Sequence, residues 1–172
     1  MLNTVSNEHV TVTGSVFRDR MQVNRSYLME LDSQCLLQNF YLEAGIIMPD
    51  LQGVPDPAAA KLHWGWEAPT CQLRGHFLGH WLSAAARLCA GGKDPALRQK
   101  LDGIIAELGR CQQRNGGEWV GSIPEKYFDL LTQEEYIWSP QYTMHKTLMG
   151  LIDTYKFTKN QQALNIADHL AD

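Results

Sequence analysis

Three short segments of the chain bring tryptophan together with histidine, glycine or both, in a pattern that suits the binding of a sugar. They are residues 64–67, 75–81 and 138–146, and each lies before or at the start of a helical pattern. Aromatic rings stack on the apolar faces of sugars, imidazoles hydrogen-bond hydroxyl groups, and glycines let the backbone come close to a ligand. The segments therefore predict a carbohydrate site made from loops and first helical turns.

Five residues in these segments are the candidates for contact with a sugar: Trp66, Glu67, His76, His80 and His145. Trp66 could stack on a sugar ring, and Glu67 could accept hydrogen bonds from its hydroxyls. His76 and His80, four residues apart, would share a helix face, a spacing that can also hold zinc. The alternative is that one of them lies in the pocket and the other bonds a backbone carbonyl. His145 could face a ligand or cap neighbouring loops.

Catalytic groups are harder to assign. Glycoside hydrolysis generally uses two carboxyl groups about 5 to 9 Å apart. Asp50, Glu67 and Glu118 lie in loops, but the sequence does not bring any two of them together. Two histidines alone do not make a metal site, and Phe77 and Leu78 leave no metalloprotease motif between them. We therefore assign no catalytic and no metal-binding residue within the chain.

The elements that must position these residues are helices, because apolar residues recur at helical spacing through most of the chain. The predicted helices cover residues 16–30, 33–44, 77–90, 95–114, 144–155 and 163–170. Asp94 caps one of them, with Pro95 at its first position, and glycines at 45, 91, 92, 116 and 117 provide the stops. Residues 10–12 could form a short strand. Long loops are predicted at 48–69 and from about 118 to 140.

The pattern around residues 82–97 is echoed at residues 148–164, an offset of about 66 residues, which indicates a repeated α-hairpin. Such hairpins bury their faces by stacking side by side in a solenoid or toroid. We assign a tail at residues 1–9 and an all-α unit of helical-hairpin repeats at residues 10–172. The last patterned helix has no cap, so we expect the chain to be the front part of a longer domain.

Composition excludes several classes of protein. The chain has 172 residues, 44% of them hydrophobic, and a formal net charge of −4, with no basic stripe for nucleic acid. Its four cysteines are widely spaced and form no C-x-x-C motif, which favours reduced, mostly buried thiols. We find no signal peptide and no apolar run long enough for a membrane span. These features predict a cytoplasmic protein with no nucleic-acid or membrane partner.

Several motifs occur in an order that resembles one known family. They are LRGHFLGHWLSA at residues 73–84, the helix 101–108 leading to Asn115 and Gly116, and YTMHK at residues 142–146 followed by residues 150–153. From about Val10 to its end, the chain is similar to the N-terminal part of the glycoside hydrolase family 127 and 146 catalytic domain, the β-L-arabinofuranosidase-like group. It departs from that pattern at Glu118 and Trp119, where relatives more often have Gly-Tyr.

This resemblance implies an (α/α)6 toroid, incomplete in this chain, whose inner-helix loops form a pocket for arabinofuranosyl or related plant-type glycans. It also implies a retaining glycosidase with a zinc-held cysteine nucleophile and a glutamate acid/base. In the family those groups lie downstream of the matched region. The resemblance therefore places neither the nucleophile nor the zinc ligands in these 172 residues, and this chain alone is expected to be inactive.

The helical-hairpin pattern also fits a second class of function. A non-catalytic helical module could bind a peptide or partner protein on its concave face, as solenoids do. We also expect possible self-association through the unfinished edge of the toroid, where Leu164, Ala167 and Leu170 would lack a neighbouring helix.

Overall fold

The computed structural model describes residues 5–6, 9–48, 62–90 and 93–171, and all regular structure in these ranges is helical. The seven α-helices of the described ranges are α1 (Ser15–Glu30), α2 (Ser33–Glu43), α3 (His76–Leu88), α4 (Pro95–Arg114), α5 (Lys126–Thr132), α6 (Pro140–Thr158) and α7 (Gln161–Ala171). A short 3-10 turn, Gly65–Glu67, precedes α3. The all-α prediction is confirmed. None of the described helices is both long and apolar enough to cross a membrane.

The structure corrects the predictions in three places. Residues 10–12 form no strand, and the carbonyl of Val10 instead accepts a hydrogen bond from Lys93. Helix α6 begins at Pro140, earlier than predicted, because proline suits the first position of a helix. Helix α5 lies inside the second predicted loop and was not predicted; its seven residues are too few for a clear helical period. Asp50, Gly91, Gly92 and most of the tail lie outside the described residues.

The two hairpins of the predicted repeat pack side by side. Helix α3 packs against α6, and α4 packs against both α7 and α2. Contacts between α3 and α6 advance in the same direction along both helices, from His80 with Tyr142 to Arg87 with Phe157, so the two helices run parallel. Their N-terminal ends therefore lie together at one edge of the molecule, and the loops before them meet there.

The hydrophobic core lies between the packed helices. Its largest fully buried side chains are Phe40, Leu37, Leu78, Trp81, Leu82, Leu97, Leu101, Ile104, Ile105, Leu108, Ile123 and Leu151. Most lie on α3 and α4 at three- and four-residue spacing, as the apolar stripes predicted. The core thus fixes the orientation of α3, the helix that carries His76 and His80.

The edge of α7 is less bare than expected. Ala167 is buried, and Leu164 and Leu170 are both partly covered. Several apolar side chains of α1 are more exposed: Val16, Val23 and Tyr27 remain 57%, 61% and 49% exposed. The expected bare flank on α7 is therefore wrong for these residues, while self-association stays a prediction.

The start of α4 supports a prediction about stability. The Asp94 carboxylate accepts a hydrogen bond from the backbone N–H of Leu97 (3.1 Å), so Asp94→Ala is expected to lower the free energy of unfolding by about 0.5 to 2 kcal/mol. Arg25 donates to the same carboxylate, and this hydrogen bond holds the pKa of Asp94 below its usual value. Urea unfolding at neutral pH measures the loss.

The matched variant Asp94→Asn separates the cap from the charge, because asparagine caps helices about as well as aspartate. Since the pKa of Asp94 is depressed in the folded state, the ion pair stabilises the protein above the ordinary carboxyl pKa of about 4. That contribution is lost as the pH falls through the folded value. We expect Asp94→Asn to lose less stability than the wild type on acidification. Identical acid sensitivity of the two proteins would contradict this.

Candidate functional site

Four side chains meet where α3 and α6 begin: Trp66, His76, His80 and Tyr142, called here the aromatic–histidine cluster. The His76 ring lies at its centre, with ring centroids 6.1 Å from Trp66, 6.1 Å from His80 and 5.9 Å from Tyr142. His80 Nε2 lies 3.3 Å from the Tyr142 hydroxyl oxygen, within hydrogen-bond distance. Because Trp66 is 63% and Tyr142 41% exposed, the cluster presents aromatic faces to solvent beside imidazole nitrogens.

Glu67 holds the loop that carries Trp66 against the start of α3. One carboxylate oxygen accepts from the backbone N–H of Gly75 (2.6 Å), and the other from the N–H of Phe77 (3.1 Å) and from His76 Nδ1 (2.8 Å). These are the N–H groups that a helix leaves unpaired at its N-terminus, where a negative charge is also favoured. Glu67 therefore caps α3 from outside the helix.

Two buried amides of α2 hold the other side of the same loop. Gln38 accepts from the backbone N–H of His63 and donates to the carbonyls of His63 and Glu67, all at 2.8 to 2.9 Å. Asn39 Nδ2 donates to the Glu67 carbonyl at 2.8 Å. Because Gln38 and Asn39 are 6% and 1% exposed, water competes little for these hydrogen bonds. The loop is thus tied to α2 at the backbone and to α3 through the Glu67 carboxylate.

The partners of His76 fix its tautomer. Its Nδ1 lies 3.0 Å from the carbonyl oxygen of Leu73 and 2.8 Å from a carboxylate oxygen of Glu67. Both partners only accept hydrogen bonds, so Nδ1 carries the proton and Nε2 is the acceptor of the neutral ring. The sequence left open whether one histidine of the pair bonds a backbone carbonyl, and His76 is the one that does.

His80 lies beside the Tyr142 hydroxyl, and its surroundings favour the uncharged ring. The pKa of His80 is lowered, first because neighbouring groups partly desolvate its ring, then because of the positive charge of Lys146 and the nearby His76. The Glu67 carboxylate acts in the opposite direction and His145 lowers the pKa further. His80 therefore favours the neutral imidazole, which can both donate and accept hydrogen bonds.

The five predicted site residues are not equally placed. Trp66, His76 and His80 belong to the cluster itself, and Glu67 touches it through His76. His145 is exposed on α6, near enough for its charge to affect His80. The carboxylate oxygens of Glu67 already accept hydrogen bonds from protein donors, so its evident role is to hold the loop. Direct contact of all five with a ligand stays a prediction.

Three residues that shape the site were not among the predicted five. Tyr142 faces both histidines, and its ring carries the Lys146 ammonium 4.9 Å from its centroid. The four-residue spacing of Tyr142 and Lys146 on one helix was an available signal. The available sequence signal at Gln38 and Asn39 is that two adjacent amides stand within an apolar helical stripe, a position where buried polar groups need partners.

No cysteine belongs to the aromatic–histidine cluster. Cys35, Cys89 and Cys111 are buried, as predicted, and Cys71 is half-buried. Burial raises the pKa of Cys89 to about 11 and that of Cys111 to about 12, which disfavours the nucleophilic thiolate. In the described ranges no three His, Cys, Asp or Glu side chains are grouped to hold a metal ion. The predicted position of the zinc outside this chain remains untested.

Comparison with known proteins gives one family. The family model described as beta-L-arabinofuranosidase, GH127 catalytic domain, matches residues 9–172. The match includes every residue of the aromatic–histidine cluster and every helix described above. A comparison with curated proteins finds no match.

Proposed function

The chain belongs to the glycoside hydrolase family 127 catalytic domains, and from this premise we propose that the aromatic–histidine cluster is the sugar-contacting wall of a glycosidase site. The ligand class that we propose is an arabinofuranosyl or related plant-type glycan. In this proposal the chain binds and orients the sugar. The nucleophile, the acid/base and the zinc ligands are supplied by residues outside the aromatic–histidine cluster.

The observation that carries the proposal is the arrangement of Trp66, His76, His80 and Tyr142 at one edge of the parallel α3–α6 pair. Exposed tryptophan and tyrosine rings offer flat apolar surface for a sugar face. The neutral His80 and the Tyr142 hydroxyl offer both donors and acceptors to its hydroxyls. The same edge carries His145 and Lys146, so polar groups surround the aromatic faces.

Binding by the 172-residue chain can be measured without any catalytic step. We expect methyl β-L-arabinofuranoside to give saturation-transfer NMR signals and to shift the His80 ring resonances on titration. Trp66→Ala and His80→Ala should each weaken binding by about 0.5 to 1.5 kcal/mol, or about two- to twelvefold in Kd, because each removes one stacking or hydrogen-bonding contact.

Two control variants test whether the effect is local. Tyr136→Ala removes an aromatic ring that is 82% exposed, and His169→Ala removes an exposed imidazole on α7. Both should bind the sugar as the wild type does. Equal weakening by all four substitutions, or no binding by the wild type, would contradict the proposed sugar wall. Binding of a peptide, together with no binding to any glycan on an array, would instead favour the helical interaction module.

A further inference from the structure

Helices α3 and α6 touch through two glycines. A Cβ atom on Gly79 would lie 2.0 Å from the carbonyl oxygen of Lys146, which is far inside van der Waals contact. A Cβ atom on Gly150 would lie 2.9 Å from the carbonyl oxygen of Gly79 and 2.9 Å from the Cβ of Leu82. Each glycine therefore meets the other helix at its backbone, and no side chain separates the two helices at this point.

The residues of the site lie directly beside this contact. His80 follows Gly79 in the chain, and Lys146, whose carbonyl lies against Gly79, is one turn after Tyr142 on α6. An α-helix rises only 5.4 Å per turn and is stiff over that distance. A change in separation at the glycines is therefore passed on to His80 and Tyr142, whose Nε2 and hydroxyl oxygen are 3.3 Å apart.

The far ends of the two helices are held by different contacts. Ser83 donates a hydrogen bond to Asp153, and Arg87 Nη2 donates to the same carboxylate at 2.9 Å. The Arg87 guanidinium also lies 4.7 Å from the centroid of the Phe157 ring. Because these contacts are C-terminal to the glycines, added bulk at Gly150 would open the N-terminal end, where the cluster lies, more than the far end.

We propose that the contact between Gly79 and Gly150 is the positioning element of the site: it sets the separation of His80 and Tyr142 and so the spacing of two hydrogen-bonding groups offered to a ligand. The importance of that spacing for a sugar rests on the proposed function. The spacing itself belongs to the fold and can be measured with no ligand present. Gly79 and Gly150 are positioning residues, because neither would touch the sugar.

The test compares Gly150→Ala with Gly103→Ala in the 172-residue chain. Gly103 lies on the exposed side of α4, where an added Cβ meets nothing within 4 Å, so its substitution controls for the general effect of alanine in a helix. For each variant, NMR reports the nuclear Overhauser effect between the His80 and Tyr142 rings and the pH titration of His80.

In Gly150→Ala we expect the cross-peak between the two rings to be lost. The pKa of His80 should rise towards its ordinary value, because the neighbours that desolvate it and the Lys146 charge move away. Gly103→Ala should change neither signal. A lower melting temperature for Gly150→Ala with an unchanged cross-peak and titration would overturn the proposal, because the glycines would then serve packing alone.

A second variant decides the question if Gly150→Ala does not fold. Ser83→Ala removes the hydrogen bond to Asp153 but keeps both glycines, so His80 and Tyr142 should stay in contact and the His80 titration should not change. Separation of the two rings in Ser83→Ala would show that overall helix pairing, and not the glycine contact, sets the spacing.

Sugar titrations distinguish a failure of the positioning role from a failure of the proposed function. If methyl β-L-arabinofuranoside binds, its Kd should rise about two- to tenfold in Gly150→Ala, as expected for the loss of one hydrogen bond. If no variant binds the sugar while Gly150→Ala still separates the rings, the proposed function fails and the positioning role stands.

Discussion

Replacing Trp81 by alanine is expected to lower the free energy of unfolding by about 3 to 5 kcal/mol, the range typical of large aromatic side chains removed from a core. Trp81 is 1% exposed on α3, and its Nε1–H donates to the carbonyl of Leu28 at 3.2 Å. The substitution leaves a cavity between helices and removes one of the two donors to the Leu28 carbonyl, the other being Lys100. For a domain with a total stability of about 5 to 15 kcal/mol, this is a large fraction.

Urea unfolding followed by far-ultraviolet circular dichroism measures this loss without relying on tryptophan fluorescence. The matched control is Trp64→Ala, since Trp64 is 58% exposed and its removal should change stability by no more than about 0.5 kcal/mol. Equal stability losses in the two variants would show that Trp81 is not part of a close-packed core.

A second large loss of stability is expected on substitution of Lys100, whose ammonium binds the carbonyls at the C-terminal end of α1. Its Nζ donates to the carbonyls of Leu28 (3.0 Å), Met29 (2.9 Å) and Leu31. The last carbonyls of a helix have no partners within the helix, and the negative end of its dipole favours a cation. Burial lowers the pKa of the Lys100 ammonium, and the hydrogen bonds to the three carbonyls take the place of some of its water.

Lys100→Met keeps most of the aliphatic chain and removes the three donors. We expect a loss of about 2 to 3 kcal/mol, because hydrogen bonds to a charged group are the stronger kind and their carbonyls are left without the ammonium. Hydrogen exchange should also become faster in the last turn of α1. Lys156→Met, at an exposed position on α6, is the control and should leave both measurements unchanged. An unaltered α1 in Lys100→Met would contradict this role.

The α1 prediction bears on the site through Trp81. The Lys100 ammonium lies 5.5 Å from the centroid of the Trp81 ring, and Trp81 directly follows His80 in the chain. One face of α3 thus packs on α1 and α4, while the neighbouring face carries the histidines. Stability variants on the core face should therefore be checked for changes at His80 before any loss of binding is assigned to the site.

The identity of the helices was predictable from sequence because their signals are local. The apolar stripe of α4, its Asp94 cap and Pro95 at its first position all lie within one segment, and each appears in the structure as expected. The turn between α6 and α7 lies in the gap between the predicted helices 144–155 and 163–170; there Lys159 takes a left-handed conformation and Asn160 accepts from the N–H of Ala163. The family, too, was recognisable from motifs in order, and its model matches residues 9–172.

The division of roles among the site residues was decided only by tertiary structure. In the sequence, Glu67 resembles a ligand contact as much as a helix cap, and His76 and His80 are chemically equivalent. The fold separates them because partners beyond one helical turn select their hydrogen bonds: Glu67 meets Gly75, eight residues away, and His80 meets Tyr142, 62 residues away. Helical periodicity fixes which residues share a face of one helix. It does not fix how closely two helices approach, which here depends on glycine meeting backbone across α3 and α6.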